Sequence, residues 1–146
     1  MNGAELGREL STAVVAFHEA IGARLGVSAV DQRAYALIGK RGPLSAGALA
    51  KEIGLTPGAV TGMVDRLERA GLVRREPDPE DRRRVVISTS EGGARVFGAA
   101  FAGLGSAMED LISGYSEVEQ RAIADYVTRT VEILREQTKK LTAQDS

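Results

Sequence analysis

The sequence predicts a mainly α-helical fold with a small β-hairpin wing, a winged helix-turn-helix flanked by long N- and C-terminal helices. Three observations lead there. The stretch from Thr56 to Gly71 carries helix start and stop signals and follows a short helix and a tight turn. A strand-like start at Leu72–Glu76 and a β-branched return at Arg84–Ser88 enclose a loop holding Pro77, Asp78, Pro79, Glu80 and Asp81. Apolar stripes at both chain ends step by three and four residues, the spacing of a helix face.

The chain has 146 residues, a length that suits one domain with its own core. Hydrophobic residues make up 43% and charged residues 27%, which places it among soluble globular chains. The absence of Cys excludes disulfides, a thiol nucleophile and a thiol redox switch. One histidine, His18, is too few for a zinc site by itself. The first ten residues lack the basic and apolar regions of a signal peptide, and no apolar run approaches a membrane span. The expectation is a cytoplasmic protein with no membrane partner.

The net charge of −1 conceals an asymmetry. Residues Lys40 to Arg84 hold ten Lys/Arg against seven Asp/Glu, while the remainder holds nine against thirteen. A basic middle between acidic ends suits a module that faces a polyanion, although charged helix faces are common in any soluble protein.

Taken in order, residues 5 to 26 predict a helix whose stripe is Leu6, Leu10, Val14, Phe17, Ile21 and Leu25, closed by Gly26. Val27 to Val30 reads as a short connection. Asp31 to Lys40 reads as a second helix with Tyr35, Leu37 and Ile38 inward, ended by Arg41-Gly42-Pro43 because a residue before proline resists helical geometry. A third, short helix has Ser45 as N-cap, takes its apolar contacts from Ala48, Leu49, Ile53 and Leu55, and is closed by Gly54.

Thr56 caps the next helix, Pro57 occupies its first position, and Gly71 falls just past its end. Val60, Met63, Val64 and Leu67 form its buried face. The opposite face is small and polar for two turns, Gly58, Ala59, Thr61 and Gly62, and then charged, Asp65, Arg66 and Arg69. A helix kept small at its N-terminal half can approach a surface closely, as one entering a DNA groove must. Two helices joined by Gly54-Leu55 form a helix-turn-helix with the second as recognition helix. The hairpin that follows is a wing with Asp81, Arg82 and Arg83 at its tip.

Ser90 is a candidate N-cap for a long helix with Val96, Phe97, Phe101, Leu104, Met108, Leu111 and Ile112 on its apolar side. Gly93, Gly98, Gly103 and Gly105 weaken it, each by roughly 1 kcal/mol against Ala, and allow close helix approach. Ser116-x-x-Glu119 is a capping box for the last helix, whose stripe is Ile123, Tyr126, Val127, Val131, Leu134 and Leu141. The tail, Thr142 to Ser146, is expected to fray.

With these elements in place, the chain resembles the MarR/SlyA family of winged helix-turn-helix transcriptional regulators. The resemblance covers nearly the whole chain and rests on Leu44 to Arg75, LSAGALAKEIGLTPGAVTGMVDRLERAGLVRR, followed by Asp78 to Ser88, DPEDRRRVVIS. The D-x-R signature Asp81-Arg82-Arg83 at this distance from Gly71-Leu72-Val73 narrows the choice among winged-helix regulators. Thr89 departs from the Leu common in the family and concerns packing at the wing base. The resemblance implies a homodimer whose terminal helices intertwine, and two lobes on a pseudo-palindromic double-stranded DNA operator. It also implies repression relieved by a small ligand or oxidant. In these terms residues 31–89 are the DNA-binding lobe, and 1–30 with 90–146 the dimerisation region. The terminal stripes call for a dimer independently, since a chain this size cannot easily cover both.

Groove physics then selects the contact residues. Thr56 to Gly62 face the major groove. Thr61 can hydrogen-bond a base edge or phosphate, Pro57 and Ala59 can touch a thymine methyl, and Gly58 and Gly62 permit close backbone approach unless helix packing demands them. Arg66 has no helix neighbour well placed to pair with it and is expected to point outward, unpaired, toward phosphate or base. Arg82 and Arg83 suit a narrow minor groove, with Asp81 holding Arg83 extended. Arg74, Arg75 and Arg84 on the hairpin arms suit phosphates, as does a backbone N–H at Ser45.

In the family, effectors sit between the dimerisation helices and the lobe, where Phe17, His18 and Tyr35 are the few aromatic or titratable groups. The absence of Cys excludes the family's thiol-peroxide sensors, and the single His argues against its zinc sensors. No cofactor or metal is expected. An enzyme is disfavoured because the sequence has no phosphate loop, nucleophile–base pair or paired-carboxylate cleft. The alternative is a winged-helix protein-interaction module without DNA binding, which would not need three arginines at an acid-flanked wing tip.

Overall fold

The computed structural model describes residues 2–143. Its elements run α1 (Gly3–Leu25), α2 (Ala29–Arg41), β1 (Leu44–Ser45), α3 (Ala46–Ile53), α4 (Pro57–Arg69), β2 (Val73–Pro77), β3 (Val85–Thr89), α5 (Glu91–Ser113) and α6 (Glu117–Ala143). Packing divides the chain into two units, one ending at Phe101 and one beginning at Ala102.

In the first unit, side-chain caps set where helices begin. The Asn2 side chain accepts from the Glu5 N–H at 2.9 Å, and Glu5 accepts from the Asn2 N–H at 3.0 Å. This reciprocal pairing starts α1 at Gly3, ahead of the expected residue 5. Ser28 and Asp31 make the same box at 3.2 and 2.8 Å. They start α2 at Ala29, so the expected connection Val27–Val30 is corrected: Ala29 and Val30 are helical. The helix-turn-helix forms as its signals require. Ser45 Oγ accepts from the Ala48 N–H, Thr56 Oγ1 accepts from the Ala59 N–H, and Pro57 opens α4. Gly54 closes α3 at φ +79°, a left-handed conformation that glycine adopts without Cβ strain.

The sheet has three antiparallel strands in the order β1-β3-β2. Val73 pairs with Thr89 and Pro77 with Val85 across the hairpin, while Leu44 pairs with Ile87 on the other edge. Strand β1 was not expected. Its two residues carry no alternation to read, and they follow Pro43.

The core of this unit joins Ala34, Tyr35 and Ile38 of α2, Leu49 of α3, the four predicted residues of α4, and Leu72, Val73 and Ile87 of the wing base. Burying one such large side chain contributes about 1.5–3 kcal/mol, so α4 is held chiefly from its inner face. Leu37, Ile53 and Leu55 lie at the core margin, half-buried. Gly93 has a packing reason beyond helix propensity: a Cβ there would meet the backbone of Leu72 at 2.6 Å. Ser90 fixes the same junction. Its hydroxyl donates to the Gly71 carbonyl at 2.5 Å and accepts from the Gly93 N–H at 2.9 Å. Phe97 packs at a tilt against Tyr35 at 4.5 Å and Phe101 at 4.7 Å, and Phe101 meets Phe17 edge-on at 5.4 Å. The α1 stripe is covered only toward its end. Ile21 is buried, whereas Leu6, Leu10 and Val14 are exposed.

In the second unit, Ser116 and Glu119 form the predicted capping box at 3.2 and 2.8 Å. Gln120 ties the turn by donating to the carbonyls of Ile112 and Tyr115. No described residue of α6 is buried, and Tyr126, Val127, Leu134 and Leu141 are all exposed. Of the expected frayed tail, Thr142 and Ala143 are helical, and residues 144–146 lie outside the described residues.

Candidate nucleic-acid interface

Helix α4 presents the face the sequence predicts. Val60, Met63, Val64 and Leu67 are buried, and Thr56, Pro57, Gly58, Ala59 and Thr61 are exposed. A Cβ on Gly58 would meet nothing within 4 Å, and one on Gly62 would meet only Arg66 Nη1 at 3.5 Å. Packing within the chain therefore does not demand either glycine, and both leave the outer surface of α4 low. The Thr61 hydroxyl donates to the Pro57 carbonyl at 3.1 Å.

The expectation of an unpaired Arg66 is corrected. Its Nε and Nη2 donate to both oxygens of Asp31 on α2, at 3.0 and 2.9 Å. Its partner lies 35 residues away in sequence, so helix spacing gave no hint of it. Asp31 is fully buried, while the Arg66 side chain is 46% exposed. Burial works to raise the Asp31 pKa. The Arg66 hydrogen bond, the Ser28 N–H and the Arg66 charge outweigh it, and the net direction is down from 3.8. Sequence reasoning missed the role of Asp31. The available signal was Ser28-x-x-Asp31, a capping box that places an acid at the start of α2.

Arg75 is likewise engaged. It reaches from β2 to Asp65 at 2.9 Å and to Glu68, bracing the wing base against α4. Arg74 pairs with Glu76 at 3.1 Å, and Glu76 accepts from the Ser88 hydroxyl at 2.6 Å. The outer hairpin is different. Asp81 folds the tip: its carboxylate accepts from the backbone N–H of Arg83 at 3.2 Å and from Arg83 Nε at 3.3 Å, the orienting bond expected for it. Arg84 lies 3.8 Å from the same carboxylate. The side chain of Arg83 is nevertheless 92% exposed and that of Arg84 76%. Arg82, also exposed, has no ion-pair partner among the described residues. Ser45 lies at the N-terminus of α3 with its side chain committed to the cap.

Of the three residues expected near an effector, Phe17 packs on Phe101, and Tyr35 is a core residue whose phenol is pushed up by burial. His18 Nδ1 lies 2.8 Å from Gln32 Oε1, and Gln32 Nε2 donates to the His18 and Val27 carbonyls. An open recess of about 600 Å³ lies here, lined by His18, Gly22, Val27, Asp31 and Arg66 among others. Phe17 and Tyr35 do not line it.

A low-faced, internally anchored helix beside a hairpin tipped with exposed arginines defines a winged-helix, DNA-binding transcription regulator, and the comparisons with known proteins agree. Residues 33–85 match the MarR family model. The chain is 39% identical over 137 residues to the HTH-type transcriptional regulator YcgE of Bacillus subtilis, spanning 94% of this chain and 89% of that one. It is 32% identical over 94 residues to the HTH-type transcriptional repressor MdtR of the same organism, 64% of this chain and 61% of that one. A MarR-like transcriptional regulator from Thermotoga maritima superposes with a TM-score of 0.69 at 28% identity, over 92% of this chain and 98% of that one. The chain belongs to the MarR family of transcriptional regulators and is not an enzyme. No single helix among the described residues is long and apolar enough to cross a membrane.

Proposed function

We propose that the protein works as a homodimer that binds a pseudo-palindromic operator sequence-specifically and represses a nearby gene until a small ligand releases it. Residues 31–89 form the DNA-binding lobe, and 1–30 with 90–146 form the dimerisation region. The observation that carries this reading is the outer surface of the lobe: a helix N-terminus stripped of bulk beside a wing whose Arg83 is almost fully exposed. The exposed stripes of α1 and α6 support the dimer, because isolated amphipathic helices gain their stability by burying that face. The likeness to a named repressor, MdtR, supports the direction of regulation. The recess at His18 is the effector site we favour, since a ligand there touches Arg66 and so acts on α4.

Duplexes selected from random DNA by the full chain test the proposal. Their affinity should fall steeply and linearly in log salt, as phosphate contacts release counterions. Sedimentation should give a dimer at micromolar concentration. A flat salt response removes DNA as the partner, and a stable monomer removes the paired-lobe arrangement.

A further inference from the structure

The N-terminal turn of α2 holds two other helices through adjacent residues. Asp31 grips Arg66 of α4, and Gln32, only 3% exposed, grips α1. Gln32 Nε2 donates to the His18 carbonyl at 2.9 Å and to the Val27 carbonyl at 3.4 Å, and its Oε1 lies 2.8 Å from His18 Nδ1. With the amide nitrogen turned to two carbonyls, its oxygen faces the ring, so His18 carries a proton on Nδ1 and donates it to Gln32. The elbow is closed from the α1 side by Gly22. A Cβ there would meet the Val27 carbonyl oxygen at 2.4 Å and Gln32 Nε2 at 3.6 Å. The Val27 N–H donates back to the Gly22 carbonyl at 3.2 Å, and Gly26 turns the chain between them at φ +76°. α1 and α2 meet here at 86°.

Under the division proposed above, this elbow joins the dimerisation region to the lobe. Ile21, the buried residue of the α1 stripe, holds the joint by apolar contact, which has no preferred direction. The Gln32 bonds do have one, because hydrogen bonds fix both distance and angle. A lobe that tilts at the elbow carries α4 with it, since Asp31 ties α4 to the same turn of α2. The geometry points to Gln32, seated against Gly22, as a positioning residue that sets the tilt of the lobe on α1 and so the half-site spacing the dimer accepts. Buried as it is, Gln32 acts on DNA only through the helices it holds. The inference rests on the paired-lobe operator reading above and names the residue that fixes its spacing.

The test uses the intact chain and the two-half-site duplex it enriches from random DNA, remade with one base pair added or removed between the half-sites. One base pair displaces a half-site by roughly 3.4 Å and turns it by roughly 35° around the duplex. The parent should lose about tenfold in affinity at either change, comparable to the loss for a mismatched base pair. Gln32→Met keeps the length of the side chain without its amide. It should narrow that preference to about threefold or less, while sedimentation still gives a dimer. Gly22→Ala strikes the same elbow from α1, because its methyl must displace the Val27 carbonyl, and should narrow the preference likewise. Ile38→Val trims the core farther along α2 and is the control: it should lose stability and keep the parent's ratio. Each variant is assayed where circular dichroism shows it folded, and Gly22→Ala decides the matter if Gln32→Met does not fold. An equal loss at every spacing, an unchanged preference, or unfolding of both variants makes the elbow a stability element alone and overturns the inference, with DNA binding by the parent intact. A parent that enriches no two-half-site duplex defeats the operator reading and this inference with it.

Discussion

Helix α4 and the wing lie side by side in one lobe, yet they treat their charges in opposite ways. On α4, Asp65 and Arg66 are tied to partners on β2 and α2. On the wing tip, Arg82 has no ion-pair partner among the described residues, and Arg83 and Arg84 are mostly solvated despite their shared carboxylate. The difference teaches a division of labour. On the operator reading proposed above, the helix that enters the groove is fixed from within, by its core face and by struts to its neighbours. On the same reading, the hairpin that meets the minor groove keeps its tip cations outward.

That comparison can be broken in graded steps. The largest effect should come from the inner face of α4. Leu67 is fully buried, and Leu67→Ala should cost about 3 kcal/mol in urea unfolding through lost burial and the cavity left behind. Next comes the strut. Arg66→Ala strands a buried carboxylate, and because Arg66 is half-exposed, solvent screening trims the loss to about 2 kcal/mol. The same pair predicts a pH signature. The folded pKa of Asp31 lies below its unfolded value, so its stabilisation is present above about pH 3.8 and is lost as pH falls toward the folded pKa. Acid unfolding should thus shift to higher pH in Asp31→Asn only by the loss of the starting stability, with a shallower acid limb. Thr56→Ala, which removes only the N-cap, should cost about 1 kcal/mol. Smallest of all on stability is Arg83→Ala, within about 0.5 kcal/mol of the parent because the residue is a solvated tip.

Much of this lobe was legible in the sequence because its signals are local. Thr56, Pro57 and the spacing of Val60, Met63, Val64 and Leu67 fix α4 without reference to anything distant, and Asp81 orients Arg83 two residues away. What the sequence hid is non-local. The Asp31–Arg66 bond, the reach of Arg75 to α4 and the pairing of β1 with β3 each join residues that no periodicity connects. Arg66 shows the consequence most plainly: exposed on a helical wheel, it reads as unpaired until the buried carboxylate of α2 is seen beneath it. Gly93 is the converse, a residue that weakens its own helix and is needed where α5 meets the Leu72 backbone.

The measurement that bears most directly on the division of labour is the salt dependence of DNA affinity in Arg83→Ala and Arg66→Ala, each compared with the parent on the same selected duplex. Arg83→Ala should flatten the log–log slope by about one unit per copy of the chain in the complex, the signature of a lost DNA-contacting cation that displaced a counterion. Arg66→Ala should weaken binding without changing the slope, because its charge is spent on Asp31. Equal flattening in both variants would contradict the account, making Arg66 a DNA contact and α4 as much a carrier of charge as the wing.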